Sequence, residues 1–525
     1  MLLGMTERLY SSMSTSVDTL TGTGAEFRPA GTLMDLSEAL APYKGPLSPR
    51  LAAHLLRRAG FGGSPSDIAT YADMGVHDAV DRLLHFVPDS LPTQPDGDIT
   101  FQFGPQADKQ QRRRAYIGTQ LWFVNRLLQT PNPLRERMVY FWSNHFTSGI
   151  GQDGITPQMM VNQYNLFARF ALGNYAQLTH EISKDPAMLL YLNNAQNRAQ
   201  HPNENYAREL MELFTMGVGN YTEEDVRQSA RAFTGWSVNR RVGDVVMFNP
   251  QLHDDGIKTF LGRSGNFMGD DIVDIIMEHP ATARYMAHKF ARHFIYDNPE
   301  PELIEALAHK FGGTNYNVAM LMSVILRSNI FYSDRAYRAL VKSPLELVIG
   351  AHKVLGATSI EPAALGALNQ MNQIVMQPPN VAGWPGGALW LNTGTLLARV
   401  NNLNRLALSK ANPITNLGEM AMTGSTDVAG MMAANPAAAL RMPANISSPT
   451  QWMAGIQTTD AKAVTERVIA MTVQGDVTSQ QRFQILNYLT FDPAGEKQAL
   501  SMENFDEKAR GAMTLALALP SYQLA

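Results

Sequence analysis

The sequence predicts a mainly α protein, a large multi-helical orthogonal bundle with one small β-hairpin. Apolar residues recur at helical spacing in segments such as "EHPATARYMAHKFARHFI" and "NVAMLMSVILRSNIFY". Prolines and small polar residues precede many of these segments, as they do at helix starts. One stretch, "VVMFNPQLHDDGIKTFLG" (residues 245–262), instead has two β-branched or aromatic runs around a turn-rich loop. That pattern predicts the hairpin.

Composition divides the 525 residues into four regions. Residues 1–46 are rich in Ser, Thr and Gly, which predicts a flexible N-terminal arm carrying one short helix. Residues 47–405 form the predicted helical core domain. Residues 406–480 are rich in Ala, Met, Pro and Thr, which predicts a loosely structured insertion, and residues 481–525 form a predicted C-terminal helical cap.

Charge and cysteine content exclude several classes of function. The 43 Lys and Arg residues are balanced by 47 Asp and Glu residues, so no global positive field attracts nucleic acid or an anionic membrane. The chain has no cysteine, which excludes disulfides, thiolate metal sites, iron–sulfur ligation and a Cys nucleophile. We therefore expect no nucleic-acid partner.

The N-terminal sequence "MLLGMTERLYSSMSTSVDTL" lacks a basic region followed by an apolar core. It therefore does not resemble an ordinary signal peptide. The longest apolar runs, such as "LALALP", fall far short of the roughly 20 residues that span a bilayer. The sequence thus predicts a soluble protein without a transmembrane segment. The cytoplasm is the expected compartment, with the periplasm as an alternative.

The stretch "NENYARELMELFTMGVGNYTEEDV" (residues 203–226) contains the first candidate site. Helical spacing places four polar residues on one face: Asn205, Arg208, Glu209 and Glu212. The apolar residues lie on the opposite face: Tyr206, Leu210, Leu213 and Phe214. The stripe is either a solvated ladder, in which Glu204 and Glu212 both pair with Arg208, or one wall of a catalytic pocket. A capping box from Thr222 to Asp225 predicts a second helix folded back close by.

The loop "HDDGIK" (residues 253–258) is the second candidate, because it combines an imidazole, two carboxylates and an amine. His253, Asp254 and Lys258 could complete a site with the acidic helix. Asp and Gly are also common turn formers, so a purely structural turn is the alternative.

A metal is a further alternative. His145, in "FWSNHF", is either a packed histidine or a ligand. The candidate metal ligands are His145, Glu209, Glu212, His253 and Asp254. Oxygen and nitrogen ligands of this kind suit a divalent metal such as Zn, Mn, Fe, Mg or Ca, but no local spacing selects one of them. The cofactor therefore stays open, with a divalent metal as one option.

The loop "QPPNVAGWPGGALWLN" (residues 377–392) holds Trp384 and Trp390 between prolines and glycines. Their rings could stack on a sugar or an apolar ligand, or fill the core of the helical bundle. The residue pattern leaves both alternatives open.

Several ordered motifs together resemble a bacterial domain-of-unknown-function family, the one numbered eighteen hundred. They include "HLLRRAGFGGSPSDI", "KDPAMLLYLNNAQN", "PNENYARELMELFTMGVGNYTEEDVRQSARAFTGW", "HPATARYMAHKF" and "PPNVAGWPGGALWLN". The resemblance covers roughly residues 50 to 405, with a weaker echo in the final helix. The matching positions are Asn203, Glu204, Asn205, Arg208, Glu209, Glu212, Trp236, His253, Asp254, Lys258, Pro379, Asn380, Gly383 and Trp384.

The resemblance implies no reaction, since the activity of that family is unknown. Its genes often lie beside those of a second uncharacterised family that is similar to sulfatases and alkaline phosphatases. The resemblance therefore implies a sulfatase-like or phosphatase-like partner protein. Many members of the family are exported, whereas this N-terminus does not show an ordinary export signal.

Three functions follow as hypotheses, and the sequence does not decide whether the protein is an enzyme. The first is a hydrolase, metal-assisted or not, in which Glu209 or Glu212 is the base, His253, Asp254 and Lys258 complete the site and Arg208 orients an anionic group. Its expected substrate contacts are Asn203, Glu204, Asn205, Trp236, Asn380, Trp384 and Trp390. The second is a non-catalytic binding or assembly partner of the phosphatase-like protein or of an envelope polymer. The third is an iron or haem oxidoreductase that uses His145 or His253.

Overall fold

Helices form most of the chain. A computed structural model describes residues 35–95, 109–240, 243–409, 445–492 and 494–525. Two small antiparallel strand pairs accompany the helices, so the predicted mainly α class is confirmed. One apolar cluster of buried side chains extends from Ala39 to Tyr522. None of the helices in the described ranges combines the length and apolar character needed to cross a bilayer.

The first half of the chain contains helices of 4 to 21 residues. The α-helices are Leu36–Ala39, Pro49–Arg58, Pro65–Ala72, Val76–Leu84, Lys109–Gln129, Pro133–His145, Pro157–Arg169, Tyr175–Ile182, Pro186–Tyr191, Asn205–Glu209 and Glu223–Ala232. Short 3-10 turns lie at Asn194–Gln196 and Pro250–Leu252, and a π-helix at Leu210–Thr215.

The second half is also helical. Its α-helices are Gly269–Glu278, Pro280–Phe294, Pro301–Gly313, Val318–Arg327, Pro344–Val354, Ala363–Gln370, Thr393–Leu408, Pro449–Trp452, Ala461–Val473, Ser479–Thr490 and Phe505–Leu517. Further 3-10 turns lie at Gly387–Trp390 and Pro520–Gln523.

The helix starts follow the expected cap chemistry. The Thr222 side chain accepts a hydrogen bond from the Asp225 amide, and Asp225 accepts one from the Thr222 amide. The predicted capping box is therefore confirmed. Because this reciprocal pair satisfies amides that have no intrahelical partner, it sets where the second helix of the candidate site begins.

The strands pair differently from the predicted hairpin. Val245–Phe248 pairs with Trp236–Asn239, and Lys258–Phe260 pairs with Arg263–Gly265. The two runs around the "HDDGIK" loop thus do not pair with each other, and that detail of the prediction is wrong. Leu261 (φ 45°) and Gly262 (φ 77°) both have left-handed backbones, which makes a tight two-residue turn after the third strand.

The four predicted regions correspond only in part to the structure. Residues 1–34 of the arm and 410–444 of the insertion lie outside the described residues, whereas the short helix predicted in the arm is present at Leu36–Ala39. The prediction of loose structure does not hold for residues 461–473. They form a regular helix because Val464, Val468 and Ile469 are buried in the common core. The division into domains stays a prediction.

The acidic helix, defined as Asn205–Glu209 together with the π-helix Leu210–Thr215, changes its winding midway. Tyr206 and Leu210 are buried, as the amphipathic pattern predicts. Leu213 is only partly buried, which corrects its predicted place. The cause is the π turn, which bonds across five residues instead of four and so rotates the following side chains out of helical phase.

Candidate functional site

The π turn directs two backbone carbonyls toward neighbouring side chains. The carbonyl of Leu213 accepts hydrogen bonds from the Tyr285 hydroxyl at 2.7 Å and from Lys289 Nζ at 3.2 Å. The carbonyl of Phe214 accepts from the Tyr175 hydroxyl and lies 2.9 Å from His145 Nε2. Side chains from three other helices therefore satisfy carbonyls at the end of the helix, which have no intrahelical partner.

The buried His145 and the partly buried Lys289 form a pair behind this turn. Nδ1 of His145 lies 3.0 Å from Lys289 Nζ, so both ring nitrogens of His145 are engaged. Burial and the adjacent amine hold the pKa of His145 well below its ordinary value. Burial lowers the pKa of Lys289 to about 8. A packed histidine is thus the alternative that this geometry favours, and a ligand role for His145 is not supported.

Glu209 is the carboxylate that the acidic helix leaves unpaired. It is partly buried, and no described residue forms an ion pair or hydrogen bond with it. Burial and the nearby Glu212 raise the pKa of Glu209, although Arg208 opposes them. Arg208 instead pairs with Glu223 at 2.8 Å and with Glu204 at 3.1 Å. The expected Glu204–Arg208 pair is confirmed, whereas the Arg208–Glu212 pair is wrong because Glu223 holds the guanidinium.

Glu212 and its neighbours form a polar face rich in phenols. The Tyr221 hydroxyl donates a hydrogen bond to Glu212 Oε2 at 3.0 Å. Burial is the main reason that the pKa of Tyr221 is raised to about 12, and the hydrogen bond to Glu212 and its charge contribute as well. Burial and the charges of Glu212 and Glu209 raise the pKa of Tyr285. Burial likewise raises the pKa of Tyr191, with further contributions from Asp153 and then Glu209. Two carboxylates and three phenols therefore share one electrostatic environment, which we call the acid–phenol face.

The "HDDGIK" loop is a self-contained turn. Lys258 is fully buried, and its Nζ donates hydrogen bonds to the carbonyls of Asp254 at 2.5 Å and Gly256 at 3.1 Å. Burial lowers the pKa of Lys258. The carboxylate of Asp254 forms a two-point ion pair with Arg231 at 2.7 and 3.0 Å. The Asp254 carboxylate is therefore neutralised by Arg231 of the preceding helix, and the Lys258 amine is held by carbonyls of its own loop, as the structural alternative expects.

His253 is buried beside this loop. Its Nδ1 lies 3.0 Å from the Thr234 carbonyl and 3.1 Å from the Thr234 hydroxyl, and its ring packs 5.5 Å from that of Phe248. Its Nε2 has no hydrogen-bond partner among the described residues. His253 thus joins the end of one helix to the first strand pair.

The structure does not bring the two clusters together as one site. Within the described ranges, no hydrogen bond or ion pair joins Glu209 or Glu212 to His253, Asp254 or Lys258. The five predicted ligands also do not form a group of three or more closely spaced donors. Among described residues, the one such group is His77, Asp78 and Asp81, of which the first two are exposed and Asp81 is partly buried. Arg231 holds Asp254, while Lys289 and a carbonyl hold His145, and the metal set stays a prediction.

Three of the predicted substrate contacts, Asn203, Asn205 and Trp236, lie at the start of the acidic helix and in the first strand pair. Asn203 accepts a hydrogen bond from the Asn205 amide at 3.0 Å, and its own amide donates to Asn197 at 2.8 Å, so it orients the start of the acidic helix. Asn205 is exposed on the first turn. Trp236 is partly buried and packs on Phe248, with ring centroids 5.1 Å apart.

The tryptophan loop packs inward. Trp384 is 8% exposed and Trp390 is 6% exposed, so the structure favours the alternative in which both rings fill the core. The Asn144 side-chain amide holds the Trp384 backbone: its Oδ1 accepts from the Trp384 N–H at 2.8 Å, and its Nδ2 donates to the Trp384 carbonyl at 3.2 Å. A Cβ at Gly383 would lie 2.6 Å from the Asn144 carbonyl oxygen, which requires glycine there. Asn380 accepts from the Ala382 amide at 2.9 Å within the same loop.

The sequence analysis missed four residues of the acid–phenol face and its support: Tyr191, Tyr221, Tyr285 and Lys289. Tyr285 and Lys289 lie one helical turn apart in "ATARYMAHKF", and Tyr221 follows the glycine turn of the opening motif. The i,i+4 spacing of Tyr285 and Lys289 indicates that the two side chains lie on one face of their helix, and it could have pointed to this pair. The π turn that gives them a partner has no comparable signature in the sequence.

The fold and the acid–phenol face define a helical protein with a partly buried acidic surface. A comparison with known protein families identifies the family to which the chain belongs. Residues 54–524 match the family described as "Protein of unknown function (DUF1800)". The match spans far more than half of the chain and extends past residue 405 to the final helix, so the chain belongs to this family. Neither the curated proteins nor the solved structures contain a match.

Proposed function

We propose that this protein is a hydrolase whose catalytic centre is the acid–phenol face, with Glu209 as the general base. The observation that supports the proposal most is the state of Glu209, a partly buried carboxylate without an ion pair and with a raised pKa. A base whose pKa lies closer to neutrality removes a proton from water more effectively than an exposed carboxylate does. Structural carboxylates in this chain, such as Glu204 and Glu223, are paired with Arg208.

The neighbouring groups receive roles that fit their contacts. Glu212 raises the pKa of Glu209 by charge repulsion and holds the Tyr221 hydroxyl. The hydroxyls of Tyr221 and Tyr285 are donors that a developing negative charge on a substrate oxygen can use. Arg208 positions the acidic helix through Glu204 and Glu223 and is not assigned to the substrate. His253, Asp254 and Lys258 are assigned to the structure of their own loop.

Substrate panels with matched variants test the proposal. Wild type, Glu209→Gln and Glu212→Gln are assayed on carboxylic, phosphate and sulfate esters, glycosides and peptides, each with added divalent metal and with EDTA. Glu224→Gln is the control, because Glu224 lies on the neighbouring helix in an exposed pair with Arg227. We expect Glu209→Gln to lose activity and Glu224→Gln to keep it. If hydrolysis by wild type requires a divalent metal and hydrolysis by Glu212→Gln does not respond to it, Glu212 is a ligand of a metal in the catalytic centre.

A further inference from the structure

A histidine joins two helices by lying between two carboxylates. His180 is in the last turn of the helix Tyr175–Ile182. Its Nδ1 lies 3.2 Å from Asp270 Oδ1, and its Nε2 lies 2.9 Å from Asp274 Oδ1. The two aspartates are four residues apart in the helix Gly269–Glu278, so their carboxylates lie on one face of it. Both nitrogens of the His180 ring therefore contact the same neighbouring helix.

This geometry favours a charged imidazole at His180. An ionised carboxylate only accepts hydrogen bonds, and a neutral imidazole has one N–H, so a neutral ring can bond to one of the two aspartates. Its other nitrogen would direct a lone pair at a carboxylate oxygen. An imidazolium donates from both nitrogens and makes two charge-assisted hydrogen bonds. The hydrogen bond with Asp270 is the largest cause of a raised pKa at His180, and Asp274 contributes as well, although burial opposes both.

Lys184 is the second cation at this contact. Its Nζ lies 2.8 Å from Asp270 Oδ2, so each oxygen of Asp270 has a cationic partner. The hydrogen bond from His180 is the main reason that the pKa of Asp270 is lowered to about 2, and Lys184 contributes as well. Asp270 is therefore ionised at neutral pH. We call the four residues His180, Lys184, Asp270 and Asp274 the histidine clasp.

The other charged groups beside the clasp have partners of their own. Glu181 pairs with Arg169 of the preceding long helix at 3.2 Å. Asp271 accepts a hydrogen bond from the Met268 amide at 2.7 Å and so caps the start of its own helix. The His180 side chain is 24% exposed, so it exchanges protons with water directly. A change in the charge of the clasp near neutral pH is thus a change at His180.

The clasp adjoins the segment that holds the acidic helix. Ser183, between the two cations of the clasp, accepts a hydrogen bond from the buried Tyr206 hydroxyl at 2.5 Å. On the other side, the helix Gly269–Glu278 buries Ile272 and Ile276 in the common core. These core contacts do not depend on pH. Loss of the clasp therefore loosens the start of this helix and leaves the rest of it in place.

We propose that the histidine clasp is a pH-sensitive switch that fixes the start of Gly269–Glu278 to the end of Tyr175–Ile182 while His180 is charged. A neutral ring keeps at most one of its two hydrogen bonds, and the Lys184–Asp270 pair then holds the two segments alone. Since the folded protein favours the charged ring, the stability from the clasp is complete below the ordinary histidine pKa of 6.5. It is lost as the pH rises through the higher pKa of the folded protein. The switch does not depend on the proposed hydrolase activity.

NMR titration of the histidine side chains in the full-length protein tests the charge of the clasp. The His180 signal, identified by its absence in His180→Gln, is expected to titrate above 6.5. Asp274→Asn should lower this pKa by about 0.5 or more, because an amide has no charge to attract the imidazolium. Glu278→Gln is the control and should leave the pKa within about 0.2, since Glu278 pairs with Arg263 at the far end of the same helix. A wild-type pKa at or below 6.5, or equal effects of the two variants, would overturn the proposal.

Hydrogen exchange tests the conformational part. After correction for the intrinsic effect of pH, peptides from the start of Gly269–Glu278 should exchange at least about threefold faster at pH 8 than at pH 6 in wild type. Peptides from the core helix Phe505–Leu517 are the internal control and should show no such change. In His180→Gln and in Asp274→Asn, the exchange at the start of Gly269–Glu278 should lose most of its dependence on pH. Equal protection at both pH values in wild type, or an unaltered pH dependence in both variants, contradicts the switch.

Discussion

The amine of Lys289 lies 3.0 Å from Nδ1 of His145, and both residues also bond to carbonyls of the π turn in the acidic helix. The amine donates, so Nδ1 of His145 accepts and its Nε2 carries the proton that is donated to the Phe214 carbonyl. This pair holds the turn between Glu212 and the glycine loop that leads to Tyr221. It thereby supports the acid–phenol face without belonging to it.

Replacing His145 should destabilise the fold. His145→Leu keeps the approximate size but removes both hydrogen bonds, which leaves the partly buried Lys289 amine with one partner fewer. We expect the free energy of unfolding, measured in urea, to fall by about 1–3 kcal/mol. His309→Leu, on an exposed face of Pro301–Gly313, is the matched control and should stay within about 0.5 kcal/mol. Equal effects of the two substitutions would show that the pair contributes nothing to stability.

The protonation state of His145 is a separate prediction. Burial and the adjacent amine hold its pKa well below the ordinary histidine value. Two-bond proton–nitrogen NMR spectra should therefore show a neutral imidazole with its proton on Nε2 throughout pH 6 to 8, a range around the ordinary pKa of about 6.5. A charged ring, or a proton on Nδ1, is incompatible with the described hydrogen bonds.

Lys289 should make stability depend on pH in the alkaline range. Its pKa is lowered from 10.5 to about 8, so between these values the unfolded chain binds more protons than the folded protein. The stability contributed by Lys289 is therefore present above 10.5 and lost as the pH falls through 8. Unfolding free energies of wild type minus Lys289→Met should rise between pH 8 and 10. A flat difference would contradict the burial of this amine.

Asp185 should show the opposite dependence in the acid range. It is buried, and burial raises its pKa from 3.8 to about 6. The folded protein thus binds more protons than the unfolded chain in this window, and the contribution of Asp185 is lost as the pH rises through 6. Its Oδ1 accepts both hydrogen bonds, from Gln163 at 2.8 Å and from the Met188 amide at 3.0 Å, and an asparagine oxygen can do the same.

The variant Asp185→Asn should therefore be more stable than wild type at pH 7.5, as measured by urea unfolding. Its advantage should shrink as the pH falls from 6 toward 4, because wild-type Asp185 then becomes neutral in the fold. An advantage that is constant from pH 4 to 7.5 would mean that Asp185 does not titrate in this window.

Local patterns predicted the helices well because caps and apolar spacing act within a few residues. The capping box at Thr222 and the buried side of Tyr206 and Leu210 are examples. Contacts across the chain could not be predicted in the same way. Arg208 had two acidic neighbours on its own helix, and the geometry of the following turn gave it Glu223 instead of Glu212. The acid–phenol face also depends on Tyr285, about 70 residues away, whose place is set by helix packing.

The loop "HDDGIK" illustrates a different limit. Its composition is equally typical of a catalytic loop and of a turn, and only the position of the Lys258 side chain separates the two. That side chain is fully buried and bonded to carbonyls within its own loop. Residue types alone could not show whether this amine faces a substrate or its own backbone.

The activity of Glu209→Gln is the most direct test of whether Glu209 is the base of a hydrolytic centre. On the substrate class that wild type hydrolyses best, kcat/KM of Glu209→Gln should fall by a factor of about 10² to 10⁴ while KM changes little. Glu224→Gln should remain within about twofold of wild type, because it alters only an exposed ion pair. A wild-type protein inactive on every class, or a Glu209→Gln variant as active as wild type, would contradict the claim.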